Sequence, residues 1–185
     1  MTVVANPTKP GGHRPPLQEA IIRDAVEADL PAIVEIYNAA IRGRISTAQL
    51  EPVSVEERLS WFREHSPESH PLWVAEIADQ IAGWLSFHQF IARSAYIGTA
   101  EISVYVNEKF RRRGLGQALL EKAIAQAPRL EFTALVGFIF GHNEPSLRLF
   151  GRFGFERWGF LPRIARVDNV ERDLVMVGRH ISAEA

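Results

Sequence analysis

At 185 residues, 46% apolar and 23% charged, the chain is sized for a single globular core. Twenty-one Lys and Arg against 22 Asp and Glu leave a net charge of −1, which excludes a global positive field for nucleic acid or an anionic membrane. With no cysteine, disulfides, thiolate metal sites and a cysteine nucleophile are excluded and a cytoplasmic location is the default expectation; the longest nearly unbroken apolar stretch, Phe132 to Phe140, is nine residues, short of the ~20 of a membrane helix.

The first 17 residues carry Pro7, Pro10, Pro15, Pro16 and the Gly11-Gly12 pair with almost no large apolar side chains, and are expected to form a flexible tail. No apolar signal core follows. A single domain is expected over 18–181, with 182–185 as a C-terminal tail. Residues 19–24 read as a first strand. Leu30, Ile33, Val34, Tyr37 and Ile41 recur at the spacing of one helical face, and Ser54-Val55-Glu56-Glu57 has the capping-box pattern for a second helix with Val55, Leu59 and Phe62 on one side. Residues 43–53 are then a loop. Leu72 to Ile77 and Ile81 to Ile91 flank Ala78-Asp79-Gln80 as an antiparallel hairpin, and Glu101 to Asn107 alternates with the period of a strand. A helix from about Gly114 to Ala127, a strand from Phe132 to Phe140, a helix from Asn143 to Phe153 and closing strands around 155–161 and 172–178 complete the order β-α-α-β-β-β-α-β-α-β-β. The expected class is a mixed α/β (α+β) single domain.

The sharpest local signal is Arg111-Arg112-Arg113-Gly114-Leu115-Gly116-Gln117, which follows an alternating strand and opens an amphipathic helix. Helix first turns carry unpaired N–H groups and the positive dipole end, and glycines let a diphosphate approach them. A solvated arginine run with glycines for a tight turn is the plainer reading. The spacing fits neither a P-loop nor a dinucleotide fingerprint, since no Lys-Ser/Thr follows and Leu119 stands where a third small residue belongs.

This stretch resembles the pyrophosphate loop, Arg/Gln-x-x-Gly-x-Gly/Ala, of the GNAT superfamily of acyl-CoA N-acyltransferases. Asn143-x-x-Ser146-x-x-Leu149-Phe150 followed by Gly154-Phe155 is similar to that family's second signature. The resemblance implies the GNAT fold, acetyl-CoA as co-substrate without a metal, and a cofactor site made of Val104, Tyr105, Val106, the 111–117 loop, Asn143 and Ser146. Asn143 and Ser146 equally suit a helix cap and first turn. Ala92-Arg93-Ser94-Ala95-Tyr96, Glu101 to Val106 and Leu50 to Ser54 further resemble the phosphinothricin acetyltransferase branch. That likeness implies acetyl transfer to the amine of a small amino-acid-like acceptor such as phosphinothricin or methionine sulfoximine. It also implies Glu101 as the base, Arg93 and Tyr96 in the acceptor pocket, and a homodimer.

Read from the residues alone, Glu101, Ser103 and Tyr105 share one strand face while Ile102, Val104 and Val106 take the other. A carboxylate on that polar face can take the proton an alkyl-ammonium must lose before attacking a thioester; a solvated strand residue is the plainer account. The sequence departs from the branch at Val167 and Glu171, where Lys and Trp are usual, and at Ala48, where an aromatic is usual. Phe150 replaces the Tyr or His that donates to the departing thiolate, and a phenyl ring has no proton to give. It motivates the alternative reading, a catalytically weak acyl-CoA sensor. His65 and His70, beside Pro67 and Pro71, are expected to be structural or solvated.

Overall fold

A computed structural model of the chain describes residues 20–182. The expected N-terminal tail, and all but the first residue of the expected C-terminal tail, lie outside the described residues. In chain order the elements are β1 (Ile21–Asp24), α1 (Leu30–Gly43), α2 (Val55–Arg63), β2 (Leu72–Ile77), β3 (Gln80–Gln89), β4 (Thr99–Val106), α3 (Leu115–Gln126), β5 (Ala134–Phe140), α4 (Glu144–Arg152), β6 (Glu156–Val167) and β7 (Val170–His180). They match the expected order. Helix α2 begins as its sequence requires: Ser54 Oγ accepts from the Glu57 amide at 3.1 Å, and the Glu57 carboxylate accepts from the Ser54 amide at 2.6 Å.

The strands form one seven-stranded sheet in the order β1-β2-β3-β4-β5-β7-β6. Alternation sorts its side chains into two layers. On one face Leu85 and Phe87 of β3, Ile102 of β4 and Leu135 of β5 pack with Leu115 and Leu119 of α3 and Phe150 of α4. On the other, Leu72, Val74 and Trp84 meet Ile33 and Ile36 of α1. Trp61 and Phe62 of α2 close this second layer.

The feature that creates a site lies between β4 and β5. All other neighbouring strands are antiparallel, whereas β4 and β5 run parallel and pair only over Thr99–Glu101 with Ala134–Val136. Beyond Glu101 the ladder ends, and the two strands open a gap at their carboxyl ends. Helices α3 and α4 follow these two strands, so both helix N-termini are brought to the open end. Crevices beyond the carboxyl ends of strands are where α/β sheets bind ligands.

The closing hairpin is longer than expected. Strand β6 continues to Val167, and Asp168 and Asn169, with φ of 47° and 65°, make the two-residue turn into β7. Polar Asp and Asn tolerate the left-handed region that such turns demand. Register shifts between Arg157 and Gly159 and between Leu161 and Ala165 break the period-2 pattern, and residues 160–164 are exposed. An irregular, largely solvated strand of this kind carries no alternation to read.

Candidate active site

Two connected depressions occupy the open end of the sheet. The larger, a cavity of about 340 Å³, has a floor of Trp84, Ser86 and His88 from β3 and Glu101, Ser103 and Tyr105 from β4. Its far wall is Phe138, Phe140 and Leu174; its roof is Tyr37 of α1, Arg58 and Trp61 of α2, and loop residues 46–48. That loop is pinned over the cavity: Asn38 exchanges two hydrogen bonds of 2.9 Å with the Val53 backbone, Tyr37 Oη and Thr47 Oγ1 lie 3.0 Å apart, and Tyr105 Oη donates to the Ser46 carbonyl at 3.3 Å. Burial pushes the Tyr105 phenol up, so it stays a neutral donor.

Glu101 stands directly across the β3–β4 ladder from His88, and such partners project side by side from the same face. Burial raises the Glu101 carboxyl above the usual carboxylate range. The Trp61 indole N–H donates to His88 Nε2 at 3.3 Å, and Ser86 Oγ lies 3.1 Å from the same nitrogen. An indole only donates, so Nε2 is unprotonated; burial, together with His65 and Arg58 nearby, pushes the His88 pKa down to about 4. At neutral pH the formal charges lining this cavity are therefore Arg58 and Glu101. His65 packs edge-on against both Trp61 and His88, with centroids 4.7 Å away in each case, and its Nδ1 meets the Trp61 carbonyl at 2.9 Å. His70 packs on Phe132.

The second depression runs along the splayed strands and is lined by Ser103, Val104 and Tyr105 of β4, Gly137 and Ile139 of β5, and Asn143, Ser146 and Phe150 at the start of α4 and along it. Asn143 is both an N-cap, its side chain accepting from the Ser146 amide at 3.3 Å, and a wall of this groove. At the other side of the gap Gly114, with φ of 83°, caps α3. Ala118 donates to the Gly114 carbonyl at 3.0 Å as the first helical bond, leaving the amides of Leu115, Gly116 and Gln117 as the donors of an unpaired first turn. Leu115 buries its side chain in the core. Arg112 also has positive φ, 62°; Arg111 pairs with Glu108 at 3.2 Å, and the Arg113 guanidinium lies 5.3 Å from the Phe110 ring centroid. All three arginines are exposed. A Cβ on Gly116 would come 3.2 Å from Leu149 and 3.9 Å from Val106, so this glycine also sets how closely α3 approaches α4 and β4. Residues 111–117 do not line the groove itself; their turn follows the carboxyl end of β4, where Gly116 nears Val106 and Leu149, and its free amides suit an anion such as a diphosphate.

Residues 30–155 match the family model described as Acetyltransferase (GNAT) family. The chain belongs to this family. YwnH of Bacillus subtilis, provisionally named a phosphinothricin acetyltransferase, is 47% identical over 162 residues, 87% of this chain and 99% of its own length. The L-methionine sulfoximine/L-methionine sulfone acetyltransferase of Pseudomonas aeruginosa is 34% identical over 148 residues, 80% of this chain and 86% of its own. Among solved structures, a phosphinothricin acetyltransferase of Sinorhizobium meliloti in complex with acetyl-CoA superposes with a TM-score of 0.83 at 28% identity, covering 88% of this chain and 89% of that one. This GNAT protein is an acetyl-CoA-dependent N-acetyltransferase.

Arg93 and Tyr96 sit apart from both depressions. Arg93 N-caps the short turn Ser94–Tyr96, and Tyr96, 39% exposed, packs edge-on against Phe90. Phe90 stacks on Phe138, which does line the cavity. Arg58, Trp61, Trp84 and His88 were not singled out from the sequence, although a signal exists. Trp84, Ser86 and His88 repeat the polar and aromatic period of Glu101, Ser103 and Tyr105, and Arg58 and Trp61 are one helical turn apart.

The left-handed cap supplies a test of the diphosphate site. An L-residue in that region costs roughly 1–2 kcal/mol, so Gly114→Ala is expected to reorient the first turn of α3 and weaken acetyl-CoA binding by about 10-fold or more. Calorimetry measures the affinity and circular dichroism the fold. An unchanged affinity in a folded variant would remove the diphosphate from this turn.

Proposed function

We propose that this acetyltransferase acylates the amine of a small amino-acid-like molecule by direct attack, with Glu101 accepting the amine proton. The observation that carries the reading is a half-buried carboxylate in a cavity continuous, through Ser103 and Tyr105, with the groove between β4 and β5. In this reading the groove residues Val104, Tyr105, Asn143 and Ser146, with Val106 beside Gly116, hold the pantetheine arm, and the 111–117 turn holds the diphosphate. The bound thioester supplies the acetyl group. Glu101, facing the cavity from β4, takes the proton from the acceptor ammonium directly or through one water, freeing the lone pair for attack. The pinned loop at 46–48 with Tyr37 and Trp61 covers one side of the space in which that step takes place.

The relatives that act on phosphinothricin and on methionine sulfoximine or sulfone favour acceptors of that size and kind. Arg93 and Tyr96 act at the rim, a role supported by the ring chain Tyr96–Phe90–Phe138. A homodimer and a cytoplasmic location belong to the same reading. The exposed Phe160, Leu161 and Ile164 on the closing hairpin favour the former and the absence of cysteine the latter. Among the described residues no helix is long and apolar enough to cross a membrane.

CoA release measured against phosphinothricin, methionine sulfoximine, methionine sulfone, the common amino acids and polyamines tests the acceptor. Turnover is expected to concentrate on one or more α-amino acids. Preferential release with polyamines would overturn that acceptor class, and tight acetyl-CoA binding without release above background would favour the sensor that Phe150 suggests.

A further inference from the structure

Arg58 projects from α2 into the roof of the larger cavity, with its guanidinium carbon 4.4 Å from the Tyr37 ring centroid and 4.6 Å from that of Trp61. The two aromatic rings position the guanidinium by its apolar faces. Its edge is another matter. Among the described residues no carboxylate pairs with Arg58, and none of its five N–H donors has a hydrogen-bond acceptor. It is also the one lysine or arginine lining the cavity. A guanidinium cannot shed its proton to relieve this situation.

The cavity's other formal charge, Glu101, is likewise without an ion-pair partner, so the two opposite charges share one space without neutralising each other. His88 adds no third charge, because Trp61 and burial hold it neutral. One unpaired cation and one unpaired anion in a cavity of about 340 Å³ are complementary to a small zwitterion. We infer that Arg58 receives the α-carboxylate of the acceptor, binding it through the edge of the guanidinium while the ammonium lies toward Glu101. A planar fork matches two carboxylate oxygens at once. Arg58 is then the residue that makes this enzyme select an α-amino acid over a plain amine. The inference rests on the proposed acceptor class and adds the group that reads it.

The test compares L-methionine sulfone with 3-(methylsulfonyl)propan-1-amine, the same molecule without its carboxylate. Calorimetric titration of both, in the presence of CoA, is run on the wild-type protein, Arg58→Gln and Arg58→Lys. Arg58→Gln is expected to lose about 10- to 100-fold in affinity for the sulfone, the range for a lost charge-assisted contact. Affinity for the amine and for acetyl-CoA should stay within about twofold, since both variants keep an alkyl stem under Tyr37 and Trp61. Arg58→Lys, with charge but no fork, should fall between. KM values for the two acceptors should follow the same split.

Equal loss on both ligands would make Arg58 a packing residue and overturn the inference. So would wild-type protein that binds the amine as tightly as the sulfone, or that shows no carboxylate-dependent binding across the L-amino acids. Because the readout is binding, a protein that binds the sulfone through Arg58 but does not acetylate it would sink the acceptor reading and leave Arg58 standing.

Discussion

Glu101→Gln is expected to lower kcat by about 10²–10⁴-fold at neutral pH, the usual contribution of a positioned general base, while acetyl-CoA affinity is kept. An amide of the same shape keeps the side chain's size and removes the proton acceptor. Burial favours the protonated carboxyl, so the acidic limb of kcat/KM in the wild-type enzyme should lie above the ordinary carboxylate range and disappear in the variant. Activity of Glu101→Gln should recover as pH rises and the acceptor is present as free amine. Stability carries the opposite sign. A carboxyl whose folded pKa is raised holds more protons folded than unfolded, so stability falls as pH passes the unfolded value and stays reduced above the folded one. Glu101→Gln should therefore raise Tm at pH 7 while lowering turnover. Near-wild-type kcat at pH 7 would leave Glu101 a structural strand residue.

Truncating Phe150 should have the largest effect on stability. Its ring is 4% exposed, packs edge-on against Phe155 with centroids 4.9 Å apart, and fills the space that Gly137 leaves on β5, where a Cβ would sit 3.1 Å from Phe150 Cε1. Phe150→Ala is expected to cost ~3–5 kcal/mol in denaturant unfolding. A cost below ~1 kcal/mol would contradict the packing role. The same ring lines the cofactor groove, which makes Phe150→Tyr informative about chemistry. It adds a donor with almost no change in shape, whereas the native thiolate, with a pKa of ~8.5 as a free thiol, leaves unassisted or is protonated by water. Phe150→Tyr should hold or raise kcat. A large drop in the folded variant would mean that the groove rejects a hydroxyl and that the leaving thiolate is handled by a different arrangement.

The local rules were enough for most of the fold. The runs flanking Ala78-Asp79-Gln80 placed β2 and β3, alternation from Glu101 to Asn107 placed β4, the apolar run from Phe132 to Phe140 placed β5, the Ser54–Glu57 box placed the start of α2, and glycines after an arginine run marked the start of α3, because each depends on neighbours in sequence. The closing hairpin was legible only in part, since its bulges and exposure remove the alternation that betrays a buried strand face. For the site, the sequence by itself determined that Glu101, Ser103 and Tyr105 share a face and that residues 111–117 open a helix, both fixed by the geometry of one element. Only the tertiary structure decided what stands opposite them. The register of β3 on β4 puts His88 beside Glu101, and the packing of α2 over α1 carries Arg58 into the roof of a cavity whose floor, from Trp84 to Tyr105, lies 26 to 47 residues further along the chain. No local pattern encodes that meeting, because it follows from how two helices cover one face of a sheet.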